Sequence, residues 1–337
     1  MNLLTGKNTV GMLLSSILRV KPAVASGKAR IANIERLRIL SAFGVASFHI
    51  HDWFPRSLGV VGFIVFLLTF CIFVVNKPEP YAMAHLIKQK SGRLLKPWLF
   101  WSGIYGLLKL LKIVYMNVSF SEVFSPTMIL TGTRIHLWFL PFAFFAALLL
   151  ALIHRRIVNV SKSLTIITAI LIGVVCVLVC SIIQSRIQPP KPLTQWTLGL
   201  PAIPLGFAIG RITLLRKAEE RRNMYLVIVF STTVACALFA WLGNGTWMGY
   251  GSTFAIRYCV SLAIVCSALH WKGNFGPISS KLASLSYGIY LIHPLVVGPF
   301  YQFGIAIQHP LILLFIVLFI SLLITFILSK TPLRQFV

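Results

Sequence analysis

A histidine follows an arginine by eleven residues in the stretch RLRILSAFGVASFH, residues 36–49. Every residue between Arg38 and His49 is apolar, small or hydroxyl-bearing. If the stretch is helical, a rise of 1.5 Å per residue places the two side chains about 16 Å apart along the axis. One helix would then carry an anion-binding guanidinium at one end and a proton-accepting imidazole deep inside the protein.

Two acidic residues flank this pair. Asp52 follows His49 by three residues, so on a continuous helix it would share nearly the same face and hold the imidazole in one tautomer. Glu35 precedes Arg38 by three residues, the spacing of a helical ion pair that would orient the arginine. The structural alternative is a packed His49 that bonds a neighbouring helix and an interfacial Asp52 that faces water.

A second histidine lies beside a proline in SLSYGIYLIHPLV, residues 284–296. Pro294 follows His293 directly, and its missing N–H leaves the carbonyl of Tyr290 without its helical partner. Because irregular backbone at membrane depth usually lines protein or a wet cavity, we predict that His293 and Tyr290 form part of a cavity wall. The alternative is a buried histidine whose hydrogen bond only stabilises a kink.

Two further stretches contribute polar or aromatic candidates. His136 and Trp138 open the stretch HLWFLPF near the outer end of a predicted helix, where they could line the route of a substrate. A place in the aromatic belt at the membrane surface is the alternative for Trp138. Arg257 lies within a span and needs an acceptor, either Asp52 or an anionic substrate group such as a lipid-linked phosphate.

The elements that must position these side chains are membrane-spanning helices. Hydrophobic residues make up 58% of the 337 residues and charged residues only 11%, and the mean hydropathy is +0.88. We therefore predict an all-α polytopic membrane protein with about ten transmembrane helices. The sixth is the least regular, because it is short and contains two prolines. The ten predicted stretches are 39–55, 58–75, 97–114, 136–153, 164–183, 196–210, 224–242, 252–269, 283–303 and 310–329.

The distribution of charged residues and the organisation of the chain also fit a polytopic membrane protein. Most of the 31 lysines and arginines fall on alternate loops, which places both termini in the cytoplasm. The net charge of +25 is spread over many loops, so it indicates contact with the lipid bilayer and not nucleic-acid binding. We divide the chain into a basic or amphipathic N-terminal segment (1–34), a transmembrane bundle (35–330) and a short cytoplasmic tail (331–337).

Processing and metal binding are not expected. An apolar run at residues 10–18 precedes AVAS and resembles a signal peptide, but Arg19 and Lys21 interrupt it, so we expect no cleavage. All six cysteines fall in predicted spans and none forms a CxxC pair, which makes them packing residues. No stretch has the ligand spacing of a metal site.

Four stretches together resemble the acyltransferase-3 family and occur in the family's order. They are IERLRILSAFGVASFH (34–49), SGRLLKPWLFW (91–101), HLWFLPF (136–142) and SLSYGIYLIHPLV (284–296). The resemblance covers most of the chain. It implies a multi-pass enzyme of a bacterial cytoplasmic (inner) membrane that moves an acyl group, usually acetyl, from acyl-CoA to a hydroxyl. In this family the acceptor is commonly a cell-surface or lipid-linked carbohydrate, including lipopolysaccharide.

The resemblance also implies roles for the candidate residues. Acetyl-CoA would be the donor co-substrate, with no permanently bound cofactor and no metal. His49 would be the base, oriented by Asp52. The phosphates of coenzyme A would bind Arg38, Arg93 and Lys96, with Glu35 behind Arg38. The acceptor would meet the remaining candidates, His136, Trp138, Arg257, Tyr290 and His293.

Parts of this assignment have alternatives. The alternative for the basic residues is a role as ordinary cytoplasmic anchors. Lysines and a Ser91-Gly92 pair replace the family's arginine-rich form here. The chain lacks the appended hydrolase-like domain of some members, so we expect it to act directly, with a separate envelope partner protein, or as a homo-oligomer. A proton-coupled transporter is the main rival, although it predicts an internal repeat that the sequence does not show. A non-enzymatic subunit is a further rival.

Overall fold

A computed structural model describes residues 32–50, 56–76, 83–157, 160–242, 250–270, 277–302 and 310–337. Within these ranges the chain is helical and contains no strand. Asp52 and the apolar run at residues 10–18 lie outside the described residues. In the described ranges, eight helices are long and apolar enough to cross a membrane. These findings confirm the predicted all-α polytopic fold, in which each helix satisfies its own backbone hydrogen bonds.

The ten predicted stretches all correspond to helices, two of which are shorter than a full span. The first helix, α1, has 17 residues, and the sixth stretch is divided between two short helices. Short helices and turns also occur between the spans. The α-helices are α1 Ala32–Phe48, α2 Arg56–Val75, α3 Met83–Lys90, α4 Lys96–Met116, α5 Phe120–Val123, α6 Met128–Thr131, α7 Phe139–Arg156, α8 Lys162–Ile182, α9 Leu193–Gly199, α10 Ala202–Thr213, α11 Ala218–Leu242, α12 Tyr250–His270, α13 Pro277–Gln302 and α14 Pro310–Leu328.

The boundaries of α1 correct the predicted span of 39–55. The helix begins at Ala32 and ends at Phe48, so His49 lies in the turn that follows it. The amides of His49 and Ile50 donate to carbonyls three residues back, those of Ala46 and Ser47, and this tight bonding closes the helix. The predicted pairing of His49 with Asp52 assumed that this helix continues past His49, whereas α1 ends at Phe48; Asp52 itself lies outside the described residues.

The sixth predicted span, 196–210, is also interrupted. Its first part is α9, and α10 begins two residues after Leu200, directly behind Pro201. Proline cannot donate a backbone hydrogen bond, so a new helix starts at this point more easily than the old one continues. The interruption leaves α9 and the turn before it free to form part of a cavity wall.

Helix α2 lies at the centre of the bundle, packed by α1, α7, α10 and α12. Its approach to α1 is close enough for backbone contact at Gly44 and Gly62. A Cβ atom added to Gly62 would lie 2.8 Å from the Cα of Gly44, and one added to Gly44 would lie 2.9 Å from the Cα of Gly62. Small residues permit such approaches between membrane helices, where packing contacts drive association.

The inner end of α4 is held by two features. A π-helical turn, Ser91–Leu95, joins α3 to α4. The predicted tail at 331–337 contains a 3-10 helix, Pro332–Phe336, whose last carbonyl accepts a 2.8 Å hydrogen bond from the indole N–H of Trp101. The ring of Phe336 stacks on Phe100 with centroids 4.2 Å apart. This terminal turn therefore packs against the bundle.

Gly62→Ala should lower the stability of the protein by about 1–3 kcal/mol, because the added methyl group forces α1 and α2 apart. The measurement is the midpoint of thermal unfolding in detergent. Gly103→Ala is the matched control, since no atom outside its own helix lies within 4 Å of a Cβ placed there. Equal midpoints for the two variants would contradict the backbone contact.

Candidate active site

A cavity of about 480 Å3 opens between α1, α2, α9, α12 and α13. Its lining includes His49 at the end of α1 and Tyr290 on α13. Trp138 and His136 come from a 3-10 turn, Ile135–Trp138, that leads into α7. Four side chains singled out in the sequence thus share one cavity, although as many as 241 positions separate them in the chain.

Three histidines meet beside this cavity. The ring of His293 lies 4.9 Å from that of His49 and 5.8 Å from that of His136, measured between centroids. His293 is 1% exposed and His136 is 6% exposed, whereas His49 is half-buried. Within the described residues, neither ring nitrogen of His136 has a hydrogen-bond partner, and the same holds for Nε2 of His293. The cluster therefore offers buried nitrogens with free capacity to bind a polar ligand or a proton.

Two tyrosine hydroxyls fix the backbone around the histidines. The hydroxyl of Tyr290 donates to the carbonyl of His136, which ties α13 to the 3-10 turn. The hydroxyl of Tyr105 on α4 donates to the carbonyl of Leu291 at 2.8 Å, and its ring lies 5.0 Å from that of His136. Sequence reasoning missed Tyr105. Its spacing of four residues from Trp101 was the available signal, since both aromatic rings face inward from one side of α4.

The aromatic part of the wall lies inside the bundle. Trp138 is 5% exposed and packs against Phe63 and Phe142, with centroids 5.1 Å and 5.4 Å away. This burial excludes the aromatic-belt alternative, in which the indole would face the membrane surface. Trp138 instead shapes the cavity directly.

The opposite wall carries amide and hydroxyl groups that the sequence analysis did not single out. Gln184 donates to the carbonyl of Thr194 at 2.9 Å and to the hydroxyl of Thr197 at 2.5 Å, which fixes its side chain. The side-chain oxygen of Gln195 is buried and has no hydrogen-bond partner among the described residues. These groups meet because the chain is interrupted around α9, and no periodic pattern in the sequence revealed that they face one cavity.

Two cations lie on the same part of the lining. Arg257 on α12 donates from Nη2 to the hydroxyl of Ser57 at 3.2 Å, which draws its guanidinium toward α2. Lys191 is exposed at the edge. A polar or anionic group that enters the cavity would therefore meet positive charge on its lining.

The candidate donor residues lie at the other end of α1. Arg38 is half-buried, with its guanidinium carbon 6.0 Å from the centre of the Phe73 ring. Lys90, at the end of α3, is 8% exposed, and its Nζ lies 5.6 Å from the Phe70 ring. Phe70 and Phe73 lie three residues apart on α2, so the two cations flank one face of that helix.

The other predicted donor residues are arranged differently. Arg93 and Lys96 are exposed, on the π-helical turn and at the start of α4, and the carbonyl of Arg93 accepts from the hydroxyl of Tyr287 at 3.3 Å. Glu35 is 9% exposed on the first turns of α1. Among the described residues, no group of three or more histidine, cysteine or acidic side chains could hold a metal ion.

A family model described as an acyltransferase domain matches residues 31–330. The chain belongs to the acyltransferase-3 family. It is therefore a membrane acyltransferase, and the four stretches identified in the sequence all fall within the matched region. No curated protein and no solved structure gives a significant match. Family membership favours the enzyme over the transporter and the non-enzymatic subunit.

The loop that delivers His136 depends on a glycine. Gly132 has a φ of +75°, and a Cβ there would lie 2.5 Å from the hydroxyl of Ser102 and 3.0 Å from the indole nitrogen of Trp98. The next residue, Thr133, donates from its hydroxyl to the carbonyl of Ser102 at 2.6 Å. The glycine thus lets the chain turn close against α4 just before the site.

Gly132→Ala should cost at least about 1 kcal/mol of stability, because alanine is strained at positive φ and its methyl group clashes with α4. Thermal unfolding in detergent measures this loss. Gly92→Ala is a suitable comparison, because no atom lies within 4 Å of a Cβ there. If Gly132→Ala melts like Gly92→Ala, the close turn is not required.

Proposed function

We propose that the enzyme takes an acyl group, acetyl in the first instance, from acyl-CoA and transfers it to a hydroxyl of a cell-surface or lipid-linked carbohydrate. The observation that supports this most strongly is the position of His49. Its imidazole lines the cavity just beyond the end of α1, while the same helix carries Arg38 near its beginning. A base and an anion-binding group at opposite ends of one helix suit two substrates that arrive from different sides.

His49 would act as the general base of the transfer. It accepts the proton of the acceptor hydroxyl while the hydroxyl oxygen attacks the carbonyl carbon of the thioester. The new C–O bond forms, the C–S bond breaks, and the proton passes from His49 to the departing thiolate. The products are an ester and the thiol of coenzyme A. Transfer by way of an acyl group on His49 itself would give the same products.

The cations near Arg38 would hold the donor. Coenzyme A carries a pyrophosphate and a ribose phosphate, and arginine binds phosphate oxygens with paired N–H donors. Arg38 and Lys90 are placed to meet these groups beside α2, and the exposed Arg93 and Lys96 would meet them at the cytoplasmic membrane surface. The pantetheine arm would then extend along the bundle toward His49.

The lining of the cavity suits a carbohydrate acceptor. The lining includes the aromatic side chains of Trp138 and Tyr290 and the amide side chains of Gln184 and Gln195. Sugars have apolar C–H faces and a rim of hydroxyls, so aromatic and amide walls match their surface. A volume of about 480 Å3 lies in the range of small-molecule sites. Arg257 would contact a phosphate of a lipid-linked sugar.

The cellular setting follows from the same proposal. The enzyme would lie in a bacterial cytoplasmic membrane with both termini inside, so that acyl-CoA reaches it from the cytoplasm. Acceptors of this kind are assembled at or carried across that membrane, which fits a base near the far end of α1. A separate envelope protein or a second copy of the chain would be the partner in any later transfer.

Acetyl-CoA should raise the melting temperature of the purified protein in detergent, since a ligand at 100 times its dissociation constant adds about 2.7 kcal/mol of stability. The shift should disappear or shrink in Arg38→Ala, because a charged hydrogen bond to phosphate contributes about 1.5–3 kcal/mol. It should persist in His49→Ala. Arg156→Ala, an exposed arginine at the end of α7, is the control. An unchanged melting temperature in every well-folded form would rule out the donor assignment.

His49→Ala should lower the release of coenzyme A thiol from acetyl-CoA at least about 10²-fold, since it removes the general base. The assay supplies methyl glycosides and, separately, simple alcohols as acceptors, and the glycosides should support faster release. His270→Ala, at the end of α12, should keep wild-type activity. Equal rates for His49→Ala and wild type would exclude His49 as the base, and a preference for simple alcohols would exclude a carbohydrate acceptor.

A further inference from the structure

We propose that His293 is a positioning residue for His49: it accepts a hydrogen bond from the imidazole N–H of His49 and thereby aims the other nitrogen at the acceptor hydroxyl. This inference rests on the proposed function, in which His49 is the base. It gives His293 a role different from contact with the acceptor, and it supplies the orienting group that Asp52 was predicted to be.

The hydrogen bonds of His293 determine which of its nitrogens can accept. Nδ1 lies 3.1 Å from the carbonyl oxygen of Ile289, one turn earlier on α13. A carbonyl only accepts, so Nδ1 must carry the proton of the neutral ring, and Nε2 must present a lone pair. Pro294 reinforces this arrangement, because it leaves a further carbonyl, that of Tyr290, without its backbone donor.

Of the two histidines that neighbour His293, His49 has the nearer ring. His293 is 1% exposed, and its Nε2 has no hydrogen-bond partner among the described residues. The ring of His49 lies 4.9 Å away between centroids, at 50° to that of His293, so the two imidazoles are in contact. The ring of His136 is farther, at 5.8 Å. A small rotation of the half-buried His49 would place one of its N–H groups on Nε2.

This arrangement performs the task that a carboxylate performs in other base-orienting pairs. In the resting state, His49 would donate its N–H to His293, and its second nitrogen would face the cavity as an acceptor. After the hydroxyl proton arrives, the hydrogen bond to His293 becomes charge-assisted and stabilises the imidazolium. The proton then leaves from the cavity side to the thiolate, and the bond to His293 stays in place throughout.

Other titratable groups around the pair are few within the described residues. His136 and Tyr290 contact His293, and Tyr105 contacts His136. Arg134 lies two residues before His136, and Arg257 lies on the lining of the same cavity. The charged residues of α1 lie at its opposite end, and α14, which packs against α13, has no titratable side chain. Asp52 lies outside the described residues, so the test must compare it directly with His293.

Two substitutions separate a positioning role from a merely structural one. In His293→Asn the amide can still donate to the Ile289 carbonyl, but the side chain ends short of the position of Nε2. In His293→Gln the longer side chain can place its oxygen there. We expect His293→Asn to lower kcat for thiol release on the order of 10²-fold with little change in KM. His293→Gln should retain most of the activity.

The pH profile provides a second readout. Protonated His49 is less stable when no acceptor occupies the position of Nε2 of His293. The acid limb of the pH–rate profile should therefore move to lower pH in His293→Asn, and it should move less in His293→Gln. His270→Asn, the matched control, should leave both kcat and the profile unchanged. Full activity in His293→Asn with a wild-type profile would show that the bond to Ile289 is the only role of His293, and the proposal would be wrong.

Nitrogen-15 spectra of the histidine rings test the pair without any substrate. In the purified wild-type protein, the signal of His49, assigned by its loss in His49→Ala, should report one tautomer. In His293→Asn it should report a mixture. If Asp52→Asn mixes the tautomers and His293→Asn does not, Asp52 is the orienting group and the proposal is overturned. If wild-type protein cleaves no thioester, the proposed function fails, while the spectra still decide the histidine pair.

Discussion

Helices α1 and α2 touch through their backbones at Gly44 and Gly62, and this contact determines where the end of α1 lies. With no hydrophobic force between helices in lipid, close packing of small residues is what holds such a pair together. Since α2 also packs against α7, α10 and α12, it sets the position of α1 relative to the whole bundle. His49, directly beyond α1, is thereby held at a cavity that α2 also lines through Gly59, Val60 and Phe63.

Around that cavity, the tyrosines and the histidines differ in whether their polar atoms are hydrogen-bonded. The hydroxyls of Tyr105 and Tyr290 donate hydrogen bonds to backbone carbonyls. These bonds fix the segments that carry the histidines. By contrast, both ring nitrogens of His136 and Nε2 of His293 have no hydrogen-bond partner within the described part of the chain. Buried polar groups without partners are costly, and their persistence here is consistent with a site whose partners are substrates. The surrounding low-dielectric bundle strengthens any hydrogen bond that forms within it.

The sequence predicted the fold well because its signals were strong and local. Charge-poor stretches of spanning length marked nearly every helix, and motif residues such as His49, His136 and His293 were visible from type and spacing alone. The end of α1 was misplaced because the apolar pattern continues past Phe48, whereas the helix closes through i to i−3 bonds that leave no clear mark in composition. Hydropathy measures affinity for lipid, and it is a poor guide to where a helix stops.

The missed residues of the site share a different cause. Gln184 and Gln195 line one cavity around the interruption of the sixth stretch, and Lys90 lies over the Phe70 ring from a helix, α3, that packs against the π-helical turn and α7. The position of these side chains in the assembled bundle leaves no periodic pattern in the sequence. The resemblance of short stretches identified the family, but the amides of Gln184 and Gln195 in the lining became visible only in the assembled helices.

The terminal 3-10 turn has a consequence for how the protein is made. The indole of Trp101 bonds a carbonyl 235 residues later in the chain. At a synthesis rate of about 5–20 residues per second, α4 would wait roughly 10–50 s in the membrane before that partner is translated. Its polar indole N–H and the face of Phe100 must be sheltered during that time by lipid headgroups or the insertion machinery. The inner end of α4 is therefore among the last parts of the bundle to reach its final packing, although it is among the first to be inserted.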